Sequence, residues 1–416
     1  MQICHNEQCT GCAACFNACR HDAIRMVADE EGFLRPNINA DACVDCGLCV
    51  KACPANTKAN RHEIPLLVYS GWSRNEDIRL SSASGGAFAE IASYFITEMH
   101  GVVFGVAMND ELEACHEAIT ETTDLKRLQG SKYIQSKIGE TYRQAEHYLR
   151  EGRKVLFSGT PCQIAGLKNY LRKEYDNLFT VDLICHGVPS KRIFDDYIRY
   201  LEKKLQHKVY DVKFRCKKSS WIFYNIAVNS HVEKGSCRES YEYEGAYYSD
   251  PFIRAFLRDN ALRLSCYQCP YTSTSRVADF TLADWWGYKA ENESDKDFEK
   301  KGVSLIFANS EKTKGMIPYL NLQLKSRTIE EAKRTNISLS QPFGMPKTRN
   351  EFWQDYSNYG FEYLIEKWLA PEQLTPISFV RYKFQESRLR KTLVLICRIY
   401  DKVRRVLGLR EIHFTA

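Results

Sequence analysis

The chain of 416 residues has no apolar run approaching the roughly 18 residues that a membrane-spanning helix requires. Its first residues, MQICHNEQC, lack the basic segment and apolar stretch of a secretory signal, so we expect a cytoplasmic protein. The net charge of +6 is too small to indicate a nucleic-acid-binding protein. No G-x-G-x-x-G opens a helix after a predicted strand, so the usual dinucleotide-binding fingerprint is missing.

Cysteine, by contrast, is abundant, with 17 residues. Disulfides are rare in the reducing cytoplasm, so this number favours metal ligands over disulfide bridges. Some of the cysteines belong to no spacing pattern, and we expect them to be packed, inert thiols: Cys4, Cys115, Cys216, Cys237 and Cys397.

Two cysteine runs near the N-terminus, CTGCAACFNAC and CVDCGLCVKACP, share the spacing C-x2-C-x2-C-x3-C of bacterial ferredoxins. In that motif three cysteines bind one 4Fe–4S cluster and the fourth binds the other, because the last cysteine points away from the first cube. The rule assigns one cluster to Cys9, Cys12, Cys15 and Cys53 and the other to Cys43, Cys46, Cys49 and Cys19.

Zinc is the competing interpretation, since C-x2-C pairs also bind zinc. Two complete four-cysteine runs favour iron–sulfur clusters instead. The first run departs from the usual pattern at Arg20, where proline normally follows, but this change removes no ligand.

Beyond a polar linker at 54–65, short apolar runs alternate with amphipathic stretches, as in α/β folds. The pattern predicts a Ser/Gly loop leading into a helix within 81–99, and further helices over 141–152 with Gly152 as the stop, over 162–175, and over 190–205 with Ser190 as the cap. It predicts strands over 101–108, 154–159 and 178–184. The stretch 208–244 reads as irregular and β-rich.

Two further cysteines each follow a predicted strand, Cys162 after 154–159 and Cys185 after 178–184. If these strands are parallel, both cysteines emerge at the carboxyl edge of the sheet, where open α/β sheets bind ligands. Cys266 and Cys269 form a C-x2-C pair on a later loop. Together the four cysteines could bind a third cluster; the alternative is that each is a packed or capping residue.

Five segments together resemble the beta subunit of coenzyme F-420 hydrogenases and dehydrogenases: SSASGGAF, LQGSKYIQS, VLFSGTPCQIAGL, VDLICHGVPS and CYQCPYTSTSRVADFTLADWWG. The resemblance covers about 68–288 and implies an iron–sulfur flavoprotein that binds FAD and has a cluster in its core. It leaves open whether the partner of the flavin is coenzyme F-420 or another organic molecule. The expected fold is an α+β ferredoxin-like domain (1–60), an α/β flavin-binding domain with a mostly parallel sheet (66–340) and a helical, basic C-terminal tail (341–416).

Within this framework three polar segments are candidate flavin-binding sites. The Ser/Gly turn before a helix can direct amides at a phosphate, although an ordinary capped helix fits equally. Lys132 can hold a phosphate or stabilise the reduced flavin, or it is a solvated lysine. The candidate residues are Ser84, Gly85, Gly86, Gly130, Ser131, Lys132, Tyr133, Ser158, Gly159 and Thr160.

His186 directly follows Cys185 and is a candidate proton donor during hydride transfer, because histidine titrates near neutrality. A structural histidine bonded to its loop is the alternative. Asp284, Trp285 and Trp286 end a predicted strand, where a tryptophan either stacks on the flavin or packs in the core.

The C-terminal stretch 381–410 carries ten Lys/Arg against two acidic residues. Several of its apolar residues fall on one helical face: Leu389, Leu393, Ile396, Tyr400 and Val403. Such a helix either contacts the inner face of the membrane or an acidic partner, or packs on the domain with its basic face in solvent.

The sequence therefore predicts a cytoplasmic FAD- and iron–sulfur-dependent oxidoreductase with two N-terminal 4Fe–4S clusters and a third in the core. Its partners would be a redox donor, such as a ferredoxin or a reductase, and a small-molecule substrate, with no nucleic acid. A non-catalytic electron-transfer subunit that feeds a partner enzyme is the alternative, and a zinc-stabilised binding module is a third.

Overall fold

The computed structural model describes residues 2–218, 220–229, 241–292, 295–370, 376 and 390–406. Cys237 lies outside these residues, as do residues 381–389, including Leu389, and 407–410 of the basic stretch 381–410.

The N-terminal region consists of two short helices, α1 (Ala14–Ala18) and α2 (Leu48–Ala52), and an antiparallel hairpin of β1 (Ile24–Ala28) and β2 (Leu34–Ile38). Each cysteine run curls through a left-handed residue, Ala13 at φ 57° or Gly47 at φ 70°, directly before its helix. This arrangement agrees with the expected α+β ferredoxin-like region.

The remaining strands are, in chain order, β3 (Leu67–Ser73), β4 (Val102–Met108), β5 (Ala114–Ile119), β6 (Val155–Gly159), β7 (Leu178–Leu183), β8 (Asp211–Cys216), β9 (Asn225–Asn229), β10 (Tyr243–Ala246), β11 (Phe280–Asp284), β12 (Ser304–Ala308) and β13 (Leu322–Ser326). β8, β9 and β10 form a small antiparallel sheet, as expected for the β-rich stretch.

The remaining α-helices of the described residues are α3 (Glu76–Ser81), α4 (Ala87–Thr97), α5 (Leu125–Leu128), α6 (Thr141–Arg150), α7 (Pro161–Leu171), α8 (Lys191–Leu205), α9 (Pro251–Leu257), α10 (Phe298–Lys301), α11 (Glu311–Met316), α12 (Ile329–Thr335), α13 (Arg349–Lys367) and α14 (Arg390–Val406). α13 is interrupted at Gly360, whose φ of 80° is not helical.

Eight strands form the main sheet in the order β13-β3-β12-β11-β7-β6-β4-β5. The central pairs β4–β6, β6–β7 and β7–β11 are parallel, and the other pairs are antiparallel. Five strands, β3, β4, β6, β7 and β11, therefore point the same way, and their carboxyl ends share one edge. The sheet is mixed, with the predicted parallel arrangement at its centre.

Most predicted elements lie where the sequence placed them, with one helix shorter than expected. The helix expected over 162–175 begins at Pro161 and ends at Leu171, because Thr160 caps its start and Arg172 adopts a left-handed conformation at φ 57°. Ser190 caps α8 as predicted, by accepting a hydrogen bond from the Ile193 amide.

The two predicted regions share a core. Phe33, in the turn of the N-terminal hairpin, packs in the same apolar cluster as residues of α8, α9 and α13. α13 contributes Phe352, Trp353 and Tyr356 to this cluster, although it lies within the stretch 341–416. Among the described residues, no helix is long and apolar enough to cross a membrane.

Candidate functional site

The structure brings the cysteines of the two N-terminal runs together in two separate cavities. One cavity is lined by Cys9, Cys12, Cys15 and Cys53, and the other by Cys43, Cys46, Cys49 and Cys19. In each case three cysteines come from one run and the fourth comes from the other run, as the spacing rule requires. Four thiols around one cavity are the donor set that a 4Fe–4S cluster needs.

Cys4 also lines the first cavity, a position that sequence reasoning did not assign to it. Its thiol lies within hydrogen-bonding range of both Cys9 and Cys53, and these two contacts are the main cause that raises the pKa of Cys4. Because no cysteine spacing connects Cys4 to the ferredoxin motif, the sequence carried no signal for this contact.

The third group of thiols consists of Cys162, Cys185, Cys266 and Cys269. β6 and β7 are parallel neighbours, so Cys162 and Cys185 emerge at the same carboxyl edge of the sheet, as predicted. Cys266 and Cys269 lie in and directly after a short 3-10 helix, Leu264–Gln268.

All four thiols of this group interact electrostatically with one another. Burial raises the pKa of Cys266 to about 12 and that of Cys269 to about 11, so these thiols are protonated at neutral pH without a metal. The described residues contain no group of three or more ligand side chains close enough for a single metal ion. A cubane needs a wider spacing, because each of its thiolates binds a different iron.

A buried arginine holds the loop that follows Cys269 against the main sheet. Arg276 is ion-paired with Asp182 of β7, with an Nη2–Oδ1 distance of 2.9 Å and exposures of 2% and 0% for the two side chains. The same guanidinium donates to the carbonyls of Leu183, Tyr271 and Ser273. It therefore fixes the segment after Cys269 against the end of β7, two residues before Cys185.

The first N-terminal cavity and the third thiol group are adjacent. A Cβ added to Gly166 of α7 would lie 3.0 Å from the Sγ of Cys12, so the absent side chain makes room for that cysteine. The Thr10 hydroxyl interacts with the thiols of both Cys12 and Cys162. The thiols of the first N-terminal cavity and those of the third group are therefore close neighbours.

The Ser/Gly turn lies directly before α4, as predicted, and is bound into the sheet. The Gly85 amide donates to the Ser304 hydroxyl at 3.0 Å, and the Ser84 hydroxyl donates to the Val303 carbonyl. A Cβ on Gly85 would lie 2.5 Å from the Gly71 carbonyl oxygen of β3. The absence of a side chain therefore lets the turn pack closely against β3 and β12. Gly86, at φ 91°, caps α4.

Two buried cations lie beside this turn. The Lys217 ammonium donates to the carbonyls of Arg79, Ser84 and Lys301, and the Arg79 guanidinium donates to the Gly302 carbonyl. Neither side chain has a carboxylate at ion-pair distance among the described residues. Burial lowers the pKa of Lys217 to about 7. The positive charge of the pair fits an anionic group, such as a pyrophosphate, near the turn.

In the segment 130–133, Lys132 donates to the carbonyls of Arg127 and Gln129. Burial lowers the pKa of Lys132 to about 7, so its charge changes around neutral pH. The Tyr133 ring stacks on Phe256, with centroids 5.0 Å apart.

The polar groups of 158–160 have partners within the fold. The Ser158 hydroxyl donates to the Phe104 carbonyl, and a Cβ on Gly159 would contact Gln163. Thr160 forms a capping box with Gln163, and its hydroxyl lies 3.2 Å from the Cys162 Sγ. This segment therefore positions Cys162.

His186 has a carboxylate partner, with its Nε2 2.6 Å from an Asp259 oxygen. Its ring packs on Phe343 and Phe256, with centroids 3.8 and 4.8 Å away. Because Phe256 also contacts Tyr133, the segment 130–133 and the histidine share contacts with one aromatic ring.

The segment 284–286 is part of a buried polar and aromatic cluster. Asp284 is ion-paired with Arg215, and it accepts a hydrogen bond from the Trp221 indole at 2.8 Å. Trp286 stacks on Trp221, with ring centroids 5.1 Å apart and an interplanar angle of 7°. One face of Trp286 is therefore already covered, in agreement with the core alternative for that residue.

Two segments of the chain match known protein families. Residues 152–332 match the family described as the C terminus of the coenzyme F420 hydrogenase/dehydrogenase beta subunit, and residues 8–57 match the 4Fe-4S dicluster domain. Residues 152–332 are thus similar to the C-terminal part of that beta subunit, and residues 8–57 are similar to a dicluster ferredoxin domain. The first match includes the third thiol group, and the second includes all eight cysteines of the N-terminal runs.

Two curated proteins resemble the dicluster region of this chain. Ferredoxin-type protein NapF of Haemophilus influenzae is 42% identical over 45 residues, which are 11% of this chain and 26% of NapF. Pyruvate synthase subunit PorD of Thermotoga maritima is 35% identical over 69 residues, which are 17% of this chain and 66% of PorD. The chain thus spans about a quarter of NapF and just under two thirds of PorD.

A solved structure, the xenon-derivatised F420-reducing NiFe hydrogenase complex from Methanosarcina barkeri, has a chain that is 14% identical. The superposition has a TM-score of 0.44 and covers 72% of this chain and 94% of that chain.

Proposed function

We propose that the chain is an iron–sulfur flavoprotein oxidoreductase that exchanges electrons between 4Fe–4S clusters and FAD and reduces or oxidises an organic substrate or a deazaflavin. The observation that carries this proposal is the third thiol group, which lies at the carboxyl edge of the sheet and adjoins the first N-terminal cavity. When bound, the clusters would carry single electrons and FAD would carry hydride.

The residues that hold these groups are proposed as follows. The clusters would be ligated by the eight cysteines of the two runs and by Cys162, Cys185, Cys266 and Cys269. FAD would lie along the carboxyl edge, with its pyrophosphate near the turn 84–86 and with 130–133 and 158–160 beside it. Lys217 and Arg79 extend this set, because they supply positive charge at the turn.

His186 is the proposed proton donor to the substrate, with Asp259 holding its ring in place. The test is a turnover assay of the anaerobically purified chain with candidate substrates, deazaflavin included, and a reduced ferredoxin as donor. We expect His186→Gln to slow turnover while leaving iron and flavin content unchanged. Equal turnover in the variant would contradict this role.

A second candidate is an electron-transfer subunit without a substrate site of its own. It is favoured by the two curated relatives, one a ferredoxin-type protein and the other a subunit of pyruvate synthase. A chain that holds its clusters but binds no flavin and turns over no small molecule would support this candidate.

If Lys132 binds FAD, the affinity for FAD should depend on pH. With a pKa of about 7 it is charged below pH 7 and neutral above it, and a bound anionic group would raise that pKa. We therefore expect FAD to bind about tenfold more weakly at pH 9 than at pH 6, since a hydrogen bond to a charged group contributes about 1.5–3 kcal/mol. Fluorescence titration of flavin-free protein measures this ratio.

Lys132→Arg is the matched control, because arginine keeps its charge over this pH range. Its FAD affinity should change less between pH 6 and pH 9 than that of the wild type, and the remaining change would come from Lys217, whose pKa is also about 7. Lys132→Met should bind FAD more weakly than Lys132→Arg at both pH values. A pH dependence as large in Lys132→Met as in the wild type would assign the effect to another group.

We also propose that α14 contacts an anionic membrane surface. Leu395, Ile396, Ile399, Tyr400 and Val403 are exposed. The same helix carries six Lys/Arg and a single acidic residue, Asp401. Exposed apolar side chains next to basic ones are typical of interfacial helices.

Deletion of residues 385–416 should reduce partitioning onto phosphatidylglycerol-containing vesicles at least about tenfold, as each basic residue contributes about 1 kcal/mol near such a surface. Sedimentation with the vesicles measures the bound fraction. Ile399→Ser, which keeps every charge, should weaken binding in part. Unchanged partitioning of the truncated chain would remove the membrane proposal.

A further inference from the structure

Arg263 is a fully buried arginine between the two cysteine-bearing regions. Its side chain is 1% exposed, and it lies three residues before Cys266. Nη1 donates to the Cys9 carbonyl at 3.0 Å, and Nη2 donates to the Leu34 carbonyl at 3.0 Å. Nη2 also donates to Oε1 of Gln135 at 2.6 Å. One guanidinium thus connects the N-terminal region to the α/β region.

No partner of Arg263 in these contacts is a carboxylate. Its Nε has no hydrogen-bond partner among the described residues, and its remaining close neighbour is the Phe33 ring, 5.0 Å away. Among the other buried arginines, Arg215, Arg276 and Arg349 are each ion-paired with a carboxylate, whereas Arg79 donates to a carbonyl as Arg263 does. A buried charge is costly unless an opposite charge compensates it, so Arg263 requires a negative group nearby.

Thiols of both cysteine-bearing regions interact with the charge of Arg263. Arg263 interacts electrostatically with Cys9 of the first N-terminal cavity and with Cys266 of the third group, and Cys162 responds to the same charge. Asp29 also interacts with Arg263, and Arg35, which is ion-paired with Asp29, opposes that interaction. The thiolates of an iron–sulfur cluster in the first N-terminal cavity, and those of a cluster in the third group, would supply the negative charge that Arg263 lacks.

The backbone makes room for this arginine. A Cβ on Gly11 would lie 2.7 Å from Nη2 of Arg263 and 2.7 Å from Nε2 of Gln135. Gly11 has a φ of 66°, which side-chain-bearing residues rarely adopt. Gln135 in turn donates to the Thr10 carbonyl, so the guanidinium is held against the turn between Cys9 and Cys12.

We propose that Arg263 is a counter-charge shared by the first N-terminal cluster and the third cluster, and that it raises the reduction potential of both. Reduction adds one negative charge to a cluster, and a fixed cation in a buried setting stabilises the reduced form. A single cation between two clusters stabilises an added electron on either cluster. It therefore raises both reduction potentials together and favours electron transfer between the two clusters. This inference rests on the proposed third cluster.

The test is a redox titration of the anaerobically purified full chain, followed by electron paramagnetic resonance. In Arg263→Met we expect two midpoint potentials to fall, so that at the original midpoint the ratio of oxidised to reduced cluster rises about tenfold, which is 59 mV for a one-electron couple. The potential of the cluster at Cys43, Cys46, Cys49 and Cys19 should stay unchanged. Arg263→Lys, which keeps the charge, should shift the ratio much less.

Gln135→Glu provides a second variant that keeps the arginine, although it loses the hydrogen bonds from Gln135 Nε2 to the Thr10 and Gly11 carbonyls. The new carboxylate would lie where Oε1 accepts from Arg263, so it should neutralise the cation and lower the same two potentials. The control is the double variant Glu31→Gln/Arg349→Met. It removes an ion pair of no net charge that also connects the two regions, and it should leave all midpoints in place.

The outcomes separate the two proposals. About eight irons in the wild-type chain would overturn the third cluster, and with it the sharing of the cation. About twelve irons with unchanged midpoints in both Arg263→Met and Gln135→Glu would overturn the role of Arg263 alone. A fall of all three potentials would also contradict it, because the cation would then act on the whole chain rather than on two clusters.

Discussion

Replacement of Cys162 by alanine is expected to remove about four irons, a third of the total, if each of three clusters holds four. The Thr10 hydroxyl interacts with both Cys162 and Cys12 of the first N-terminal cavity. The neighbouring Thr160 is no substitute ligand, because its hydroxyl is a poor iron ligand. The eight N-terminal cysteines are unaffected by the change, so about eight irons should remain. Chemical iron and acid-labile sulfide assays on anaerobic protein measure the loss.

Cys216→Ala is the matched control for this experiment. Cys216 is a buried thiol in β8 and lies outside all three cysteine groups, so its removal should leave the iron content at the wild-type value. If Cys162→Ala retained as much iron as Cys216→Ala, Cys162 would be a packing residue at the start of α7, and the third cluster would be excluded.

Arg276→Met is expected to lower the free energy of unfolding by about 3–5 kcal/mol, because it leaves Asp182 as an uncompensated buried charge. Asp182 is 0% exposed and keeps a hydrogen bond from Thr281 alone among its present polar partners. The change also removes the hydrogen bonds that fix Tyr271 and Ser273. Urea denaturation of anaerobic protein measures the difference.

Two further variants identify the cause of this loss. Arg199→Met removes a solvent-exposed ion pair with Asp196 and should cost only about 0.2–1 kcal/mol. The double variant Arg276→Met/Asp182→Leu should recover part of the stability, since no unpaired charge remains. Equal losses for Arg276→Met and Arg199→Met would show that the buried pair does not hold the sheet edge.

The cysteine groups were predictable because their members are identified by spacing within a short segment or by their position after consecutive strands. Fixed spacings gave the two N-terminal sets, and the placement of Cys162 and Cys185 after consecutive strands placed them on one edge. The helices α6 and α8 were predictable for the same reason, since caps and apolar periodicity lie within the segments themselves.

Long-range pairing was beyond sequence reasoning. β3 lies between β12 and β13, more than 200 residues further along the chain, and no local pattern encodes that register. The buried cations Arg263 and Lys217 were missed because each is defined by carbonyls from distant segments. A lone basic residue in a sequence usually indicates a solvated side chain.

The flavin residues were predictable in position but not in their contacts. The turn 84–86 precedes α4 as expected, yet the Gly85 amide is bonded to Ser304. The position of the tryptophan segment 284–286 was likewise predictable, but its contacts were not. Trp221, the stacking partner of Trp286, comes from a different part of the chain. Their roles toward FAD remain proposals.

The most direct test of the account is the content of iron, acid-labile sulfide and flavin per chain in protein purified without oxygen. We predict about twelve irons, about twelve sulfides and one FAD, from three cubane clusters of four irons each. About eight irons with one FAD would keep the flavoenzyme but contradict the third cluster. About eight irons without flavin would contradict the central claim and leave an electron carrier with two clusters.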